Sequence, residues 1–355
     1  MLEMLATFLT QHWGPGRLLQ SNAVLIAIAL YTGFFVTVYF LPKLFFLLPR
    51  DRGREFTINA EAAKGKPTGA GVIFITFFVI VTILVTPLDL LQLSIVILTW
   101  LTMLTGFLDD RSVVSWGEYK KALLDLLICV TASFLLYHFL SKDSNGVIQF
   151  WLPFNSKPVT VAPWLYIVIS TIMLFASINT TNCTDGVDGL SGTLVLVALI
   201  TMGIIFYFIL GHKDISSYLL VPHLPNGAHW GIICFALAGT LMGYLWYNAF
   251  PSKVLMGDAG SRAIGFFIGI CVLVAGNPFL ILATSSIIFV NGGMGLLKVA
   301  LLRFFKIKIF SSIRFPLHDH MRKNKDWSPT QVLIKFLIMQ VLITIALLGI
   351  LFKVR

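Results

Sequence analysis

At 355 residues, 57% hydrophobic and only 12% charged, with a mean hydropathy of +0.88, the chain cannot be an ordinary soluble protein, whose charged fraction is about twice as large. It reads as an all-α integral membrane protein, and no loop between its apolar runs is long enough to fold alone, so residues 1–355 read as a single domain. The formal net charge of +10 fits basic residues flanking membrane spans better than a nucleic-acid surface, and no nucleic-acid partner is expected.

A hydrocarbon core of about 30 Å asks for roughly 20 apolar residues per helix. Ten spans are predicted on that measure, over residues 22–48, 70–88, 91–108, 122–140, 161–178, 190–210, 229–249, 261–276, 279–300 and 330–352. The segment before them, Met1–Gly16, lacks a basic stretch and carries Glu3, which argues against a cleaved signal peptide. Ten spans put both termini on one side. Taken alternately, loops 43–69, 109–121, 179–189, 250–262 and 298–335 hold all but six of the 26 Lys and Arg residues, the six being Arg17, Lys142, Lys157, Lys213, Lys353 and Arg355. Positive residues mark the cytoplasmic side, so these loops are expected inside and both termini outside. Residues 141–160, with Pro153 and Pro158, read as a short external hairpin or interfacial piece. Asn291-Gly292-Gly293-Met294-Gly295 is expected to break or kink the ninth span. Leu301–Phe310, where Arg303, Lys306 and Lys308 sit among apolar residues, suits an interfacial helix over anionic lipid. Cys129, Cys183, Cys234 and Cys271 show no CxxC spacing, so neither a disulfide framework nor a zinc site is indicated.

The same alternation sorts the polar residues. Asp109, Asp110, Asp185, Asp188, Asp258 and Asp319 all fall in the loops expected inside, with His318 and His320, so one site on one face is geometrically possible. Lys64-Gly65-Lys66-Pro67-Thr68-Gly69-Ala70-Gly71 opens the second span with cations and a glycine-rich turn able to clamp a phosphate, although flanking positive residues explain the lysines as well. Asp109 and Asp110 end the third span. Adjacent acids repel when both are ionised, so the pair needs a cation or a shared proton unless it is simply exposed at the interface. Ile178–Leu190 holds two carboxylates, two amides and three hydroxyls between long apolar runs, an expensive density beside a membrane. If a helix begins at Thr184, Asp185 and Asp188 share one face; the alternative is a polar loop with Asp185 as N-cap. In Asn248–Ser261, Asp258 lies among small residues at a helix start, where free backbone N–H groups suit an anion, or it is a plain N-cap. His318-Asp319-His320 lacks the i, i+4 spacing of a helical metal site, and imidazole contact with a phosphate or sugar fits better. Carboxylates for Mg²⁺ beside lysines and histidines for an anionic substrate are the equipment of phosphoryl transfer at a membrane surface.

These motifs, in this order and over the whole chain, resemble those of the polyprenyl-phosphate N-acetylhexosamine-1-phosphate transferase superfamily. Lys64–Gly71 looks like its KGTPTMGG turn, Leu108-Asp109-Asp110 like its DD motif, and Asn182–Leu190 like NLTDGLDGL. Asn248–Gly260 is similar to NAxPAxxFMGDxG and Pro316–His320 to PLHHH, while Asp326–Val332 resembles the GWxExQV of the muramoyl branch. The resemblance implies a bacterial plasma-membrane enzyme with its active site at the cytoplasmic face and Mg²⁺ as cofactor, in a family that often forms a homodimer. The reaction implied is transfer of phospho-MurNAc-pentapeptide from its UDP carrier to undecaprenyl phosphate, with release of UMP. Asp258 would ligate Mg²⁺, with Asp110 a further candidate, and Asp109 and Asp110 would sit beside the lipid phosphate. Asn182, Asp185 and Asp188 would line the nucleotide side, and Lys64, Lys121 and His318 or His320 would contact phosphates. Thr68, Asn248, Gly257, Ser261 and Asp319 complete the implied substrate site. The chain departs from the family at Asp319, the middle histidine, at Val113, where a lysine is expected, and at Asn291 and Lys298 in the ninth span. These departures bear on which nucleotide sugar is used, and a sister transferase acting on UDP-N-acetylglucosamine is the alternative. A secondary transporter, the more distant alternative, would carry acids at mid-helix and paired broken helices.

Overall fold

The structure, a computed structural model, describes residue 10 and residues 14–53, 64–142, 146–155 and 157–353. Each predicted span contains a helix. In chain order the elements are α1 (Asn22–Phe40), α2 (Gly71–Val85), α3 (Leu90–Arg111) and α4 (Glu118–Lys142). After the paired strands β1 (Ile148–Phe150) and β2 (Val159–Val161) come α5 (Pro163–Thr184) and α6 (Leu190–Leu210). The short α7 (Lys213–Tyr218) precedes α8 (Gly227–Asn248), α9 (Gly257–Val274) and α10 (Leu280–Phe305). The short α11 (Leu317–Asn324) and the final α12 (Pro329–Lys353) complete the chain. Among the described residues, nine helices are long and apolar enough to cross a membrane, and the protein is an all-α, multi-pass integral membrane protein. The tenth apolar helix, α2, has 15 residues, about 22 Å of rise.

Local chemistry sets the ends. α1 stops at Phe40 rather than at the expected residue 48, because Pro42 opens a 3₁₀ turn over Pro42–Leu47. α2 ends before Thr86-Pro87, where the proline disfavours helical backbone at the preceding residue. A capping box starts α3: Gln92 N–H donates to Asp89 Oδ1 at 2.8 Å and Asp89 N–H to Gln92 Oε1 at 3.1 Å.

The bundle is built around α9, whose every residue is buried. Its start is clasped by small residues of two neighbours. A Cβ at Gly71 would lie 2.1 Å from Gly260 N, and one at Gly106 would lie 2.4 Å from Asp258 O. The start of α2, the end of α3 and the start of α9 therefore meet on one face of the bundle. At the other end of α9 the strand pair folds over the helix: Trp151 N–H bonds Gly276 O at 3.0 Å and its indole N–H bonds Ala275 O at 2.6 Å. The hairpin expected over 141–160 is thus observed, with β1 and β2 antiparallel and Gln149 opposite Thr160.

Three local expectations change. The helix expected to begin at Thr184 does not, and Asp185 is not an N-cap: α5 runs on to Thr184 with Asp185 as its C-cap, and α6 starts at Leu190 behind Gly189 at φ +77°. The polar side chains of 179–184 find partners within the helix, Asn179 Nδ2 donating to Phe175 O at 2.9 Å and Thr184 Oγ1 to Thr180 O at 2.9 Å. α9 begins at Gly257, with Met256 in the cap position, so Asp258 belongs to the first turn and is not the N-cap. In α10 the irregularity expected at the glycine run is observed as a π-helical turn at Phe289–Gly293, and a second follows at Leu301–Phe305. The second turn ends the helix, with Lys306 at φ +61°, so the interfacial helix expected to reach Phe310 stops at Phe305.

Because the clasp around α9 leaves no room for a methyl group, Gly71→Ala and Gly106→Ala should each cost about 1–3 kcal/mol. The control is Gly349→Ala, where a Cβ meets nothing within 4 Å. Thermal melts in detergent should show lowered midpoints for the first two variants alone; three equal midpoints would mean that the clasp yields freely.

Candidate active site

The start of a buried helix exposes backbone N–H groups that must find acceptors. At α9 the acceptor is Asp110, whose Oδ1 takes Asp258 N–H and whose Oδ2 takes Ala259 N–H, each at 3.0 Å. Negative charge there also suits the positive end of the helix dipole. The N–H groups expected to be open to a substrate anion are therefore engaged by the protein's own carboxylate. Gly257, at φ +70°, lets this happen: a Cβ there would stand 2.3 Å from Asp110 Oδ2 and 2.7 Å from Gly69 N. Beside it, Thr68 is buried and its N–H bonds Pro49 O at 2.9 Å.

The neighbouring carboxylate points elsewhere. Asp109 accepts Trp116 N–H at 2.7 Å and pairs with the Lys121 ammonium, which also reaches Asp258 Oδ2 at 3.1 Å. One cationic atom thus sits against two carboxylates whose side chains are only 5–6% exposed. Sequence alone does not separate Lys120 from Lys121. The structure does, because Lys120 turns out to lie 3.5 Å from the Trp116 ring centroid.

The loop between α5 and α6 is tied to the loop before α9 by two side chains. Asn248, at the end of α8, accepts Gly189 N–H and donates to Val254 O, both at 2.8 Å. Asp188 takes Ser252 N–H at 3.0 Å and Ser252 Oγ–H at 2.9 Å, and Lys66 Nζ donates to Ser252 Oγ at 3.0 Å. Ser261 Oγ lies 2.8 Å from Gly257 O and 3.3 Å from Asn182 Oδ1, joining the end of α5 to α9. Asp185 is part-exposed at the loop's start and Gly186 is exposed beside it, while Lys64 is exposed in the turn before α2.

His318, Asp319 and His320 open α11 and diverge. His318 is buried; its backbone N–H donates to Asn291 Oδ1 at 2.8 Å, and its Nδ1 is 3.1 Å from the same oxygen. The backbone donor fixes which end of the Asn291 amide faces the histidine. Nδ1 therefore carries the proton and Nε2 is an acceptor turned toward Gly186, where a Cβ would come within 2.4 Å of it. Burial, with Arg322 nearby, pushes the imidazole down to about 3. The 3.7 Å approach of Nε2 to Asp319 Oδ1 is accordingly not an ion pair. Burial raises the Asp319 carboxyl above the usual carboxylate range, opposed by Arg314 and Arg322. His320 faces away, its Nδ1 accepting Arg314 N–H at 3.3 Å.

Asp109, Lys121 and Asp258 thus form one cluster, with Asp110, Gly257 and Gly69 behind it. Asp188, Asn248, Asn182 and Ser261 form the bracket that holds the loops, and His318 stands against Gly186. Asp319 and His320 turn instead to Arg314, and Lys64 is exposed in the turn before α2. The sequence reading missed Ser252, the tie between Asn291 and His318, and a buried ion pair between Asp125 and Arg262. The last had a visible signal, a charge four residues after Lys121 and another four after Asp258.

The sequence model of glycosyl transferase family 4 matches residues 92–276, the stretch from α3 to α9 that carries most of these residues. Along its full length the chain is 57% identical to a phospho-N-acetylmuramoyl-pentapeptide-transferase of Treponema pallidum (strain Nichols), covering 97% of that protein. A protein of the same name from Campylobacter curvus is 30% identical over 92% of this chain and 94% of its own length. Another, from Nitratiruptor sp., is 28% identical over 90% and 92%.

A His318 imidazole that stays neutral down to about pH 3 cannot contribute an inflection near pH 6.5 to a rate profile. His318→Asn should lower the rate between pH 6 and 8 without changing the profile's shape. A wild-type inflection near 6.5 that disappears in this variant would show that the imidazole titrates in the working range.

Proposed function

The chain belongs to the phospho-N-acetylmuramoyl-pentapeptide-transferase family, within glycosyl transferase family 4, and on that premise we propose that it makes lipid I. It transfers phospho-MurNAc-pentapeptide from UDP-MurNAc-pentapeptide to undecaprenyl phosphate. A phosphate oxygen of the lipid attacks the phosphorus bonded to the sugar, the pyrophosphate P–O bond breaks, and UMP leaves. The full-length likeness to relatives of that name carries the substrate reading over UDP-N-acetylglucosamine, and the cluster of Asp109, Lys121 and Asp258 supports phosphoryl transfer. A secondary transporter has no support in proteins of that name.

The donor set suits Mg²⁺. Asp109 and Asp258 bring hard oxygen ligands to one point, where a cationic atom already rests between them. Among the described residues no group of three or more His, Cys, Asp or Glu could cage a metal, and Mg²⁺ commonly keeps waters and substrate oxygens as its other ligands. We assign Asp258 and Asp109 to the cation and leave Asp110 as the helix cap. Bound Mg²⁺ would neutralise charge on the pyrophosphate and the leaving UMP. Lys121 turns from the carboxylates to a phosphate, and His318 Nε2 accepts a hydrogen bond from the sugar or peptide at Gly186. Lys64 and Asp185, both at least part-exposed, contact the nucleotide. Such a site works mainly by positioning and by preorganised charge.

The distribution of Lys and Arg supports a cytoplasmic site. On that reading a cysteine at position 185, in a variant lacking the native cysteines, should react with a membrane-impermeant thiol reagent only from the inside; labelling from outside in intact cells would invert the topology.

Incubating purified protein with undecaprenyl phosphate, Mg²⁺ and each UDP-sugar tests the substrate directly. UMP should be released with UDP-MurNAc-pentapeptide and not with UDP-N-acetylglucosamine, and chelation should abolish turnover. Removing a buried carboxylate that stabilises charge in the transition state should cost on the order of 2–4 kcal/mol, roughly 30- to 1,000-fold in rate. Asp258→Asn should show at least that loss with an unshifted melting temperature. Undiminished turnover in chelator would end the metal assignment.

A further inference from the structure

We propose that Asp125 and Arg262 are positioning residues of the transfer site, acting through Lys121 and Asp258; the inference rests on the reading of that site given above. Asp125 follows Lys121 by four residues on α4, and Arg262 follows Asp258 by four on α9. Each therefore lies one turn, about 6 Å, deeper in the bundle on the same face of its helix. Arg262 Nη2 is paired with Asp125 Oδ1, and both side chains are 1–2% exposed. One turn above, Lys121 Nζ bridges to Asp258. The four charges alternate in sign, so Lys121 and Asp258 each have an opposite charge across the helix gap and another below on their own helix.

Stability does not explain the inner pair. Taking two ions out of water costs about as much as their attraction returns, and apolar side chains of similar volume are often as stable or more so. Arg262 adds to that cost, because its Nη1 is buried with no hydrogen-bond partner. Neither side chain opens to the site, yet ionisable residues within membrane spans are generally functional. Their reach is toward the outer pair: Asp125 lies in coulombic range of both Lys121 and Asp258. Moreover, α4 packs mainly against α3 and α5 rather than against α9, so the charged side chains are what cross the gap. Without the inner rung, a flexible lysine at the membrane edge would turn its ammonium out toward water and headgroups. With it, the ammonium is held between Asp109 and Asp258.

Two double variants of the full-length protein test this. Asp125→Leu/Arg262→Leu removes both charges, and Asp125→Arg/Arg262→Asp exchanges them. The readouts are the melting temperature, the acylation rate of Lys121 by a water-soluble amine reagent mapped by mass spectrometry, and kcat and KM. Both doubles should melt within a few degrees of wild type. The apolar pair should label Lys121 several-fold faster and lose about tenfold in kcat, with KM little changed. The exchanged pair places like charges one turn apart on both helices, so it should lose more than tenfold despite its intact melt. A mere tether between helices would be restored by the exchange; wild-type labelling and kcat in either variant overturns the proposal. If the leucine pair misfolds, Asp125→Asn/Arg262→Gln carries the same expectation. Lys121 labelling needs no substrate, so it decides this inference even if wild type leaves UDP-MurNAc-pentapeptide untouched, a result that would overturn the substrate reading alone.

Discussion

A helix that begins inside a protein carries N–H groups with no partner in their own helix, and the fold has to supply acceptors or forfeit the free energy. At α9 the Asp110 carboxylate meets that need with two 3.0 Å bonds, and the rest of the site follows from it. Seating Asp110 at the tip of α9 requires Gly257 and Gly69 to leave space. It also brings the end of α3 so close that Asp109 lies beside Asp258. Two buried acids side by side then need a cation, and Lys121 from α4 reaches in to meet both. The adjacency of Asp109 and Asp110 thus splits into two tasks, one carboxylate closing a helix and the other entering the chemistry.

The loops are held by the same economy of polar contacts. Asn248 bonds one loop with its oxygen and another with its nitrogen, and Asp188 uses both oxygens on Ser252. Such two-ended bonds keep buried backbone satisfied while fixing the distance between segments far apart in sequence. Gly186, the exposed residue of this loop, stands against the acceptor nitrogen of His318. The π turn at Phe289–Gly293 in α10 serves the same placement: it contains Asn291, whose side-chain oxygen orients His318.

Composition and the spacing of apolar runs determined the membrane class and the ten helical segments, because a hydrocarbon slab imposes one length scale and one rule of backbone satisfaction on any chain that crosses it. The same residues, read in order, gave the acids, lysines and histidines of the site and the family resemblance. Roles within the site were a matter for tertiary structure alone. Whether an acid caps a helix, anchors a serine or meets a lysine depends on which helix end lies opposite, and no local pattern encodes that. Asp110 and Asp188 looked like Asp109 and Asp258 in sequence and differ only in their neighbours. The inner pair of Asp125 and Arg262 lay in plain sight as charges within apolar spans, but each made sense only once the two met across the gap between α4 and α9, since the low dielectric that makes a lone buried charge costly is the reason the two must meet.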